Sequence, residues 1–430
     1  MNEDYLKIFQ DRTLYFHNQT EVEYREGPQS EVAKQNQLKI QSELENGFLD
    51  GLISNCFLSD EERQLIDISI NSILHRLVDS ITSEVGRAIV GLTVLQLTIK
   101  SIAPNQSIRL HKASQNRSSF SWVDGLPMRR LDSVYITPKL REYNLLKLNA
   151  DGFMMTRSLA ENYPYTNLYK ANIRGAKAEW INLTNQIELN PKIALPSLKL
   201  LLILLRQRSE NFSDLVRSAT LKINNYMEKN QNSKEIRDLL FNFPSHSSYS
   251  ARLFEILIHS FYCTLVDKKI TDIFLKPLSQ MRSANKKHGN IGDIELLVKP
   301  NTMLIYEAWD TKFGKSYLRD ELEELKDKLE NHPETKIAGF ITDTEPSNIR
   351  EILDRKTEIE DLFGVEIKIH SLHSWYIESI SIYNVENESE FIQEWFKIFF
   401  EYLCLKRILI APIDEPTNIW LMECIELIPN

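Results

Sequence analysis

The sequence predicts a mixed α+β protein. Residues 1–240 read as mainly helical, and residues 241–430 hold a core ordered helix, three strands, helix, strand. Three observations predict this. Residues 195–208 contain a nearly unbroken aliphatic run, Leu198-Lys-Leu-Leu-Leu-Ile-Leu-Leu205, which suits a buried helix. After residue 250, short apolar runs bounded by turn residues alternate with amphipathic helical stretches. Between the two regions, the polar pieces 229–234 and 244–250 supply the composition shift of a boundary near residue 240.

Residues 1–60 mix polar and apolar side chains without a marked period, and 29–41 reads as polar and exposed. Ser59-Asp60-Glu61-Glu62 has the form of a helix start, a capping side chain with acids in the first turn. The helical pattern runs through Ile66, Ile68, Ile70, Ile73 and Leu74 and resumes over 83–101. The apolar stretch 88–99, between Arg87 and Lys100, is too short to span a bilayer and reads as a buried helix. Pro104 breaks the pattern, and a polar, arginine-containing piece follows over 109–130. A short helix from Tyr135 carries Pro138 in its first turn, 149–152 is a turn, and 153–162 reads as a further helix. Short helices around turns suit a helix-turn-helix or winged-helix arrangement. Another helix covers 213–229. Beyond 250 come a helix (251–266), strands (273–278, 291–298, 303–312), a helix (316–331) and a strand (336–342). A helix (346–362), a strand (365–370) and a long helix (388–406) complete the order.

Composition narrows the function. A hydrophobic content of 42% and a charged content of 26% suit a folded protein. The first residues, Met-Asn-Glu-Asp-Tyr-Leu-Lys, do not have the form of a signal peptide. Cys56, Cys263, Cys404 and Cys424 are widely spaced, so neither a zinc site nor a disulfide framework is indicated, and a reducing cytoplasm is expected. A net charge of −9 argues against a wholly basic nucleic-acid coat, yet residues 100–180 carry 13 Lys/Arg against 6 Asp/Glu. One localised polyanion surface is therefore expected. Within that segment Arg109, Lys112, Gln115, Asn116, Arg117, Arg129 and Arg130 bring side chains suited to base edges and phosphates. Lys139, Arg141 and Arg157 would position the backbone, while Tyr163, Tyr165 and Tyr169 read as packing residues. A second basic loop holds Arg282, Lys286 and Lys287 just ahead of Asp293. Ordinary solvated loops would carry the same residues. Gly314-Lys315-Ser316 ends like a phosphate-binding loop, but position 309, where the first glycine belongs, is Trp, which argues against a nucleotide-driven motor.

The chemistry concentrates in Gly292-Asp293-Ile294-Glu295 and in the run 303–313, which delivers Asp310 and Lys312. Residues two apart in a strand share a face, so Asp310 and Lys312 point one way and Glu307 the other. Two carboxylates and an amine at the end of a hairpin can hold a divalent cation and activate a water. This arrangement resembles the PD-(D/E)XK nuclease superfamily, the fold of many restriction endonucleases. The resemblance covers about residues 250–345 and implies the αβββαβ core of that fold. It implies Mg²⁺ held by Asp293, Asp310 and the carbonyl of Thr311, with Lys312 orienting or deprotonating the attacking water. Glu255 stands where many members carry a further acid. Two departures are visible: residue 292 is Gly rather than Pro, and Glu307-Ala308-Trp309 is an alternative acid step with Trp in place of Lys. The implied activity is that of a type II restriction endonuclease: a homodimer cutting double-stranded DNA at a specific sequence, with a separate DNA methyltransferase and no membrane attachment. A modification-dependent or repair nuclease is the alternative enzyme. A non-catalytic DNA-binding regulator, with Asp293 as a turn cap and Asp310 and Lys312 as a solvated pair, is the alternative of another class.

Overall fold

A computed structural model of the chain describes residues 4–17, 19–81, 84–111, 122–146, 148, 151–159, 163–173, 175–229, 232–278, 290–300, 302, 304–406 and 417–429. It is mixed α+β and about 60% helical. The chain divides between Ser213 and Asp214 into two compact units. Residues 214–240 thus group with the second unit, although loop composition suggested a boundary near 240.

The first unit begins with an antiparallel sheet of β1 (Tyr5–Ile8), β2 (Arg12–His17) and β3 (Thr20–Arg25), in that order. Its inward residues Tyr15 and Tyr24 pack with Leu110 and Trp122. Next come α1 (Glu31–Glu45), α2 (Phe48–Ser54), α3 (Asp60–Leu65), α4 (Ile68–Asp79) and α5 (Glu84–Ile102). The expected start at Ser59 is a complete capping box: Glu62 N–H donates to Ser59 Oγ (3.2 Å) and Ser59 N–H to Glu62 Oε2 (3.0 Å). Among the described residues α5 alone is long and apolar enough to cross a membrane, but 83% of its apolar window is buried, and it lies in the unit's core. The unit continues with α6 (Met128–Leu131), α7 (Thr137–Glu142), α8 (Lys177–Leu189) and the 36-residue α9 (Ala194–Lys229), inside which the division falls. A π-helical turn, Asp132–Ile136, joins α6 to α7. Residues 160–162 lie outside the described residues, and where a helix was expected over 153–162 the described ones form two short 3₁₀ turns, Gly152–Met155 and Arg157–Leu159. They are held by Asp132, fully buried, whose carboxylate accepts from Phe153 N–H (2.9 Å) and Thr137 Oγ–H (3.1 Å). Gly152 has φ +55° and leaves no room for a Cβ beside Asp132.

The second unit contains α10 (Ser233–Asn242) and α11 (Ser250–Asp267), then β4 (Phe274–Leu275), β5 (Ile294–Leu297) and β6 (Ile305–Lys312). Next in chain order are α12 (Arg319–Leu329), β7 (Ile337–Thr342), α13 (Arg350–Phe363), β8 (Glu366–Ser371), α14 (Leu372–Ile382), α15 (Glu388–Glu401) and α16 (Thr417–Leu427). The five strands form one sheet in sequence order. Pairing is antiparallel from β4 to β6 and parallel from β6 to β8. The parallel strands need crossovers, and α12 and α13 supply them. Leu318, Leu322, Leu325, Leu329, Ile352 and Ile359 of that helical layer bury against Ile305, Ala308, Ala338, Phe340 and Ile367 of the sheet. α11 packs along β4 to β6, and α14 packs on β7 and β8. β7, Ile-Ala-Gly-Phe-Ile-Thr, is a near-continuous apolar run, as expected of a central strand covered on both faces. Phe261 of α11 sits edge-on to Trp375, Phe391 and Trp395, an aromatic cluster that fixes α11 to α14 and α15.

Candidate active site

Asp293 immediately precedes β5, and its N–H donates to the carbonyl of Trp309 on β6 (2.9 Å). The approach is so close that a Cβ on Gly292 would lie 2.5 Å from that carbonyl oxygen. The missing proline at 292 thus has a physical cause, since only glycine fits. Glu295, 2% exposed, holds the segment from behind: it accepts from Ile291 N–H (2.6 Å) and pairs with Lys276 (2.5 Å). Asp293 Oδ2 accepts from both the N–H and the hydroxyl of Thr311, each at 3.0 Å. Threonine at 311 therefore ties the two strands together at the level of the carboxylates.

Asp310 is buried, and its carboxyl is hydrogen-bonded to that of Asp293. Its Oδ2 lies 3.0 Å from Lys312 Nζ and 3.6 Å from Lys328 Nζ on α12. The pair of carboxyls is polarised. Burial, the charge of Asp310 and that of Glu255 push Asp293 well above the usual carboxylate range. Burial works against the charge on Asp310, but Lys312, the hydrogen bond from Asp293, and Lys328 outweigh it and hold Asp310 below its ordinary value. The pair therefore retains one proton, on Asp293, under conditions that ionise a free aspartate. Burial disfavours the Lys312 ammonium, yet Asp310 beside it raises its pKa overall. Lys312 is thus a cation at rest. Glu255 on α11 is buried and paired with Arg252. Phe313, next after Lys312, meets Phe254 of α11 edge-on at 5.9 Å and fixes the end of β6 against that helix.

Glu307 lies apart from this cluster. Its Oε1 accepts from Trp309 Nε1–H (2.6 Å) and Tyr262 Oη–H (3.1 Å), and burial raises its pKa. It serves the α11 side of the sheet, whereas Asp310 faces α12.

Several of the described basic residues of the first unit are taken up by partners within it. Arg109 is 8% exposed, and its guanidinium donates to Tyr165 O (2.5 Å) and Asn185 Oδ1 (2.6 Å). Through these two bonds it braces the interior of the first unit. Lys100 is buried against Glu188 (2.7 Å), Lys177 donates to the carbonyls of Tyr169 and Ala171, and Lys139 pairs with Asp50 and Glu142. Arg129, Arg130 and Arg141 are exposed. Tyr165 and Tyr169 are buried, in keeping with a packing role. Lys112, Gln115, Asn116, Arg117, Arg282, Lys286 and Lys287 lie outside the described residues.

Among the described residues no group of three or more His, Cys, Asp and Glu side chains is arranged to hold a metal ion. Two carboxylates with backbone oxygen and water are nonetheless a sufficient donor set for Mg²⁺, which retains several waters. The chemistry of this donor set, two carboxyls beside a backbone carbonyl, is of the type that Mg²⁺ takes. Sequence reasoning missed Lys328, the double donation from Thr311 and the clamp at Glu295. No protein-family model matches the chain, and no curated protein matches it either.

Proposed function

We propose that the protein is a Mg²⁺-dependent endonuclease of the restriction type, hydrolysing phosphodiester bonds in double-stranded DNA at a specific sequence. The observation that carries this reading is the convergence of Asp293, Asp310 and Lys312 at the end of the β5–β6 pair. The element order α11-β4-β5-β6-α12-β7 supports it, because it follows the αβββαβ order of PD-(D/E)XK nucleases. Asp293 and Asp310, with the Thr311 carbonyl, would hold the ion. A bound Mg²⁺ supplies a Lewis acid for the phosphoryl oxygens and lowers the pKa of a coordinated water. Asp293 would hold the ion as the carboxylate, its proton passing to solvent. Lys312 would donate to the attacking water and stabilise the charge that develops on the phosphate. Exposed Arg129, Arg130 and Arg141 are suited to phosphate contact. Two-fold sites would be cut by a homodimer, and host DNA would be protected by a separate methyltransferase.

The non-catalytic reading draws on one observation: two lysines on Asp310 could simply brace the fold. Incubation with unmodified plasmid and phage DNA separates the two. Mg²⁺-dependent cleavage is expected, and Asp310→Ala and Lys312→Ala should each abolish it while leaving the melting curve cooperative. No cleavage of any DNA, methylated or not, together with no Mn²⁺ binding by calorimetry, would leave the bracing role.

A further inference from the structure

Helix α12 turns charge inward. Its buried residues are Glu321, Leu322, Leu325 and Leu329, and the Lys328 side chain beside them is only 9% exposed. A buried ammonium is costly unless it is paired and hydrogen-bonded, so its partners matter. Lys328 Nζ lies 3.6 Å from Asp310 Oδ2 and donates to the carbonyl of Ile291 at 3.0 Å. Ile291 belongs to the segment that carries Asp293, and Asp310 belongs to β6. One side chain, fixed on a third element, thus spans the two pieces of backbone that bring the carboxylates together. Lys312 reaches Asp310 from the same strand and adds no such restraint between strands.

We propose that Lys328 is a positioning residue of the site described under the proposed function, on which this inference rests: it sets the spacing of Asp293 and Asp310 by holding residue 291 and Asp310 from the α12 side. It acts through the two carboxylates, as supporting residues behind metal ligands commonly do.

Steady-state cleavage of unmodified phage DNA at saturating Mg²⁺ tests this, with the full-length protein and its Lys328→Met and Lys328→Arg variants. Lys328→Met should lower kcat by about 10- to 100-fold and leave KM for DNA nearly unchanged. Lys328→Arg, which keeps the charge and the donors, should recover most of the loss. Wild-type kcat in Lys328→Met overturns the proposal and leaves the nuclease reading standing. A loss that Lys328→Arg does not recover, matched by an equal drop in melting temperature in both variants, marks the lysine as a fold brace and also overturns it. If the unaltered protein neither cleaves DNA nor binds Mn²⁺, the nuclease reading falls and this proposal falls with it.

Discussion

Two carboxyl groups buried side by side cannot both ionise without a counter-charge, and the protein resolves this unequally: Lys312 and Lys328 stand on Asp310, and the proton stays on Asp293. Asp132 in the first unit shows the same physics without a partner cation. Its pKa is pushed up to about 7, by burial above all. An acid raised in the folded state stabilises the fold while protonated, and that stability is lost as pH rises. Between about pH 4 and 7 the unfolded chain has released this proton while the folded chain retains it, so stability should fall across that window and level off above it. Urea denaturation from pH 4 to 8 should show a loss on the order of 4 kcal/mol, and Asp132→Asn should flatten the slope. An unchanged slope in Asp132→Asn would assign the pH dependence elsewhere.

The elements that deliver the site are the ones whose sequence admits little alternative. A Cβ at 292 would press on the backbone of Trp309, so Gly292→Ala should cost about 1–3 kcal/mol and weaken Mn²⁺ binding by displacing Asp293. Equal denaturation midpoints for wild type and variant would show that the hairpin has slack. β5 through β8 were legible because their apolar residues, in runs or alternating with polar ones, are bounded by turn residues, with amphipathic helices between β6, β7 and β8. β1 to β3 were not, because only Thr13, Tyr15 and Tyr24 of these strands are buried and the polar faces mask the alternation. α1 was hidden in the same way, with Ala33, Ile40 and Leu44 as its only buried residues. α14 follows β8 directly, with Ser371 as cap, and leaves no loop to announce it. The site itself was legible where strand alternation decides a side chain's direction, at Asp310, Lys312 and Glu307. Lys328 was not, since α12 is charged at most positions and a lysine there reads as solvated. The interior partners of Arg109 were not legible, because counting charges does not reveal partners.

For the whole molecule, cation binding should be visible as stability. A ligand that binds only the folded state adds about 2.7 kcal/mol at a hundredfold excess over its dissociation constant. Mg²⁺ should therefore raise the melting temperature. The gain should grow as pH rises, because Asp293 must release its raised proton to become a ligand. Asp293→Asn should remove the gain, and a melting temperature indifferent to Mg²⁺ at every pH would count against a metal centre. Trp309 gives the protein a means of reporting the same event. Its carbonyl holds the Asp293 backbone, while its indole, 4% exposed, donates to Glu307 and lies 6.1 Å from the His370 ring on the far side of the sheet. A shift of the Asp293 segment by a few tenths of an ångström is thus felt by a shielded fluorophore one residue from Asp310. The difference in emission between the native chain and a Trp309→Phe chain isolates that signal from the other five indoles.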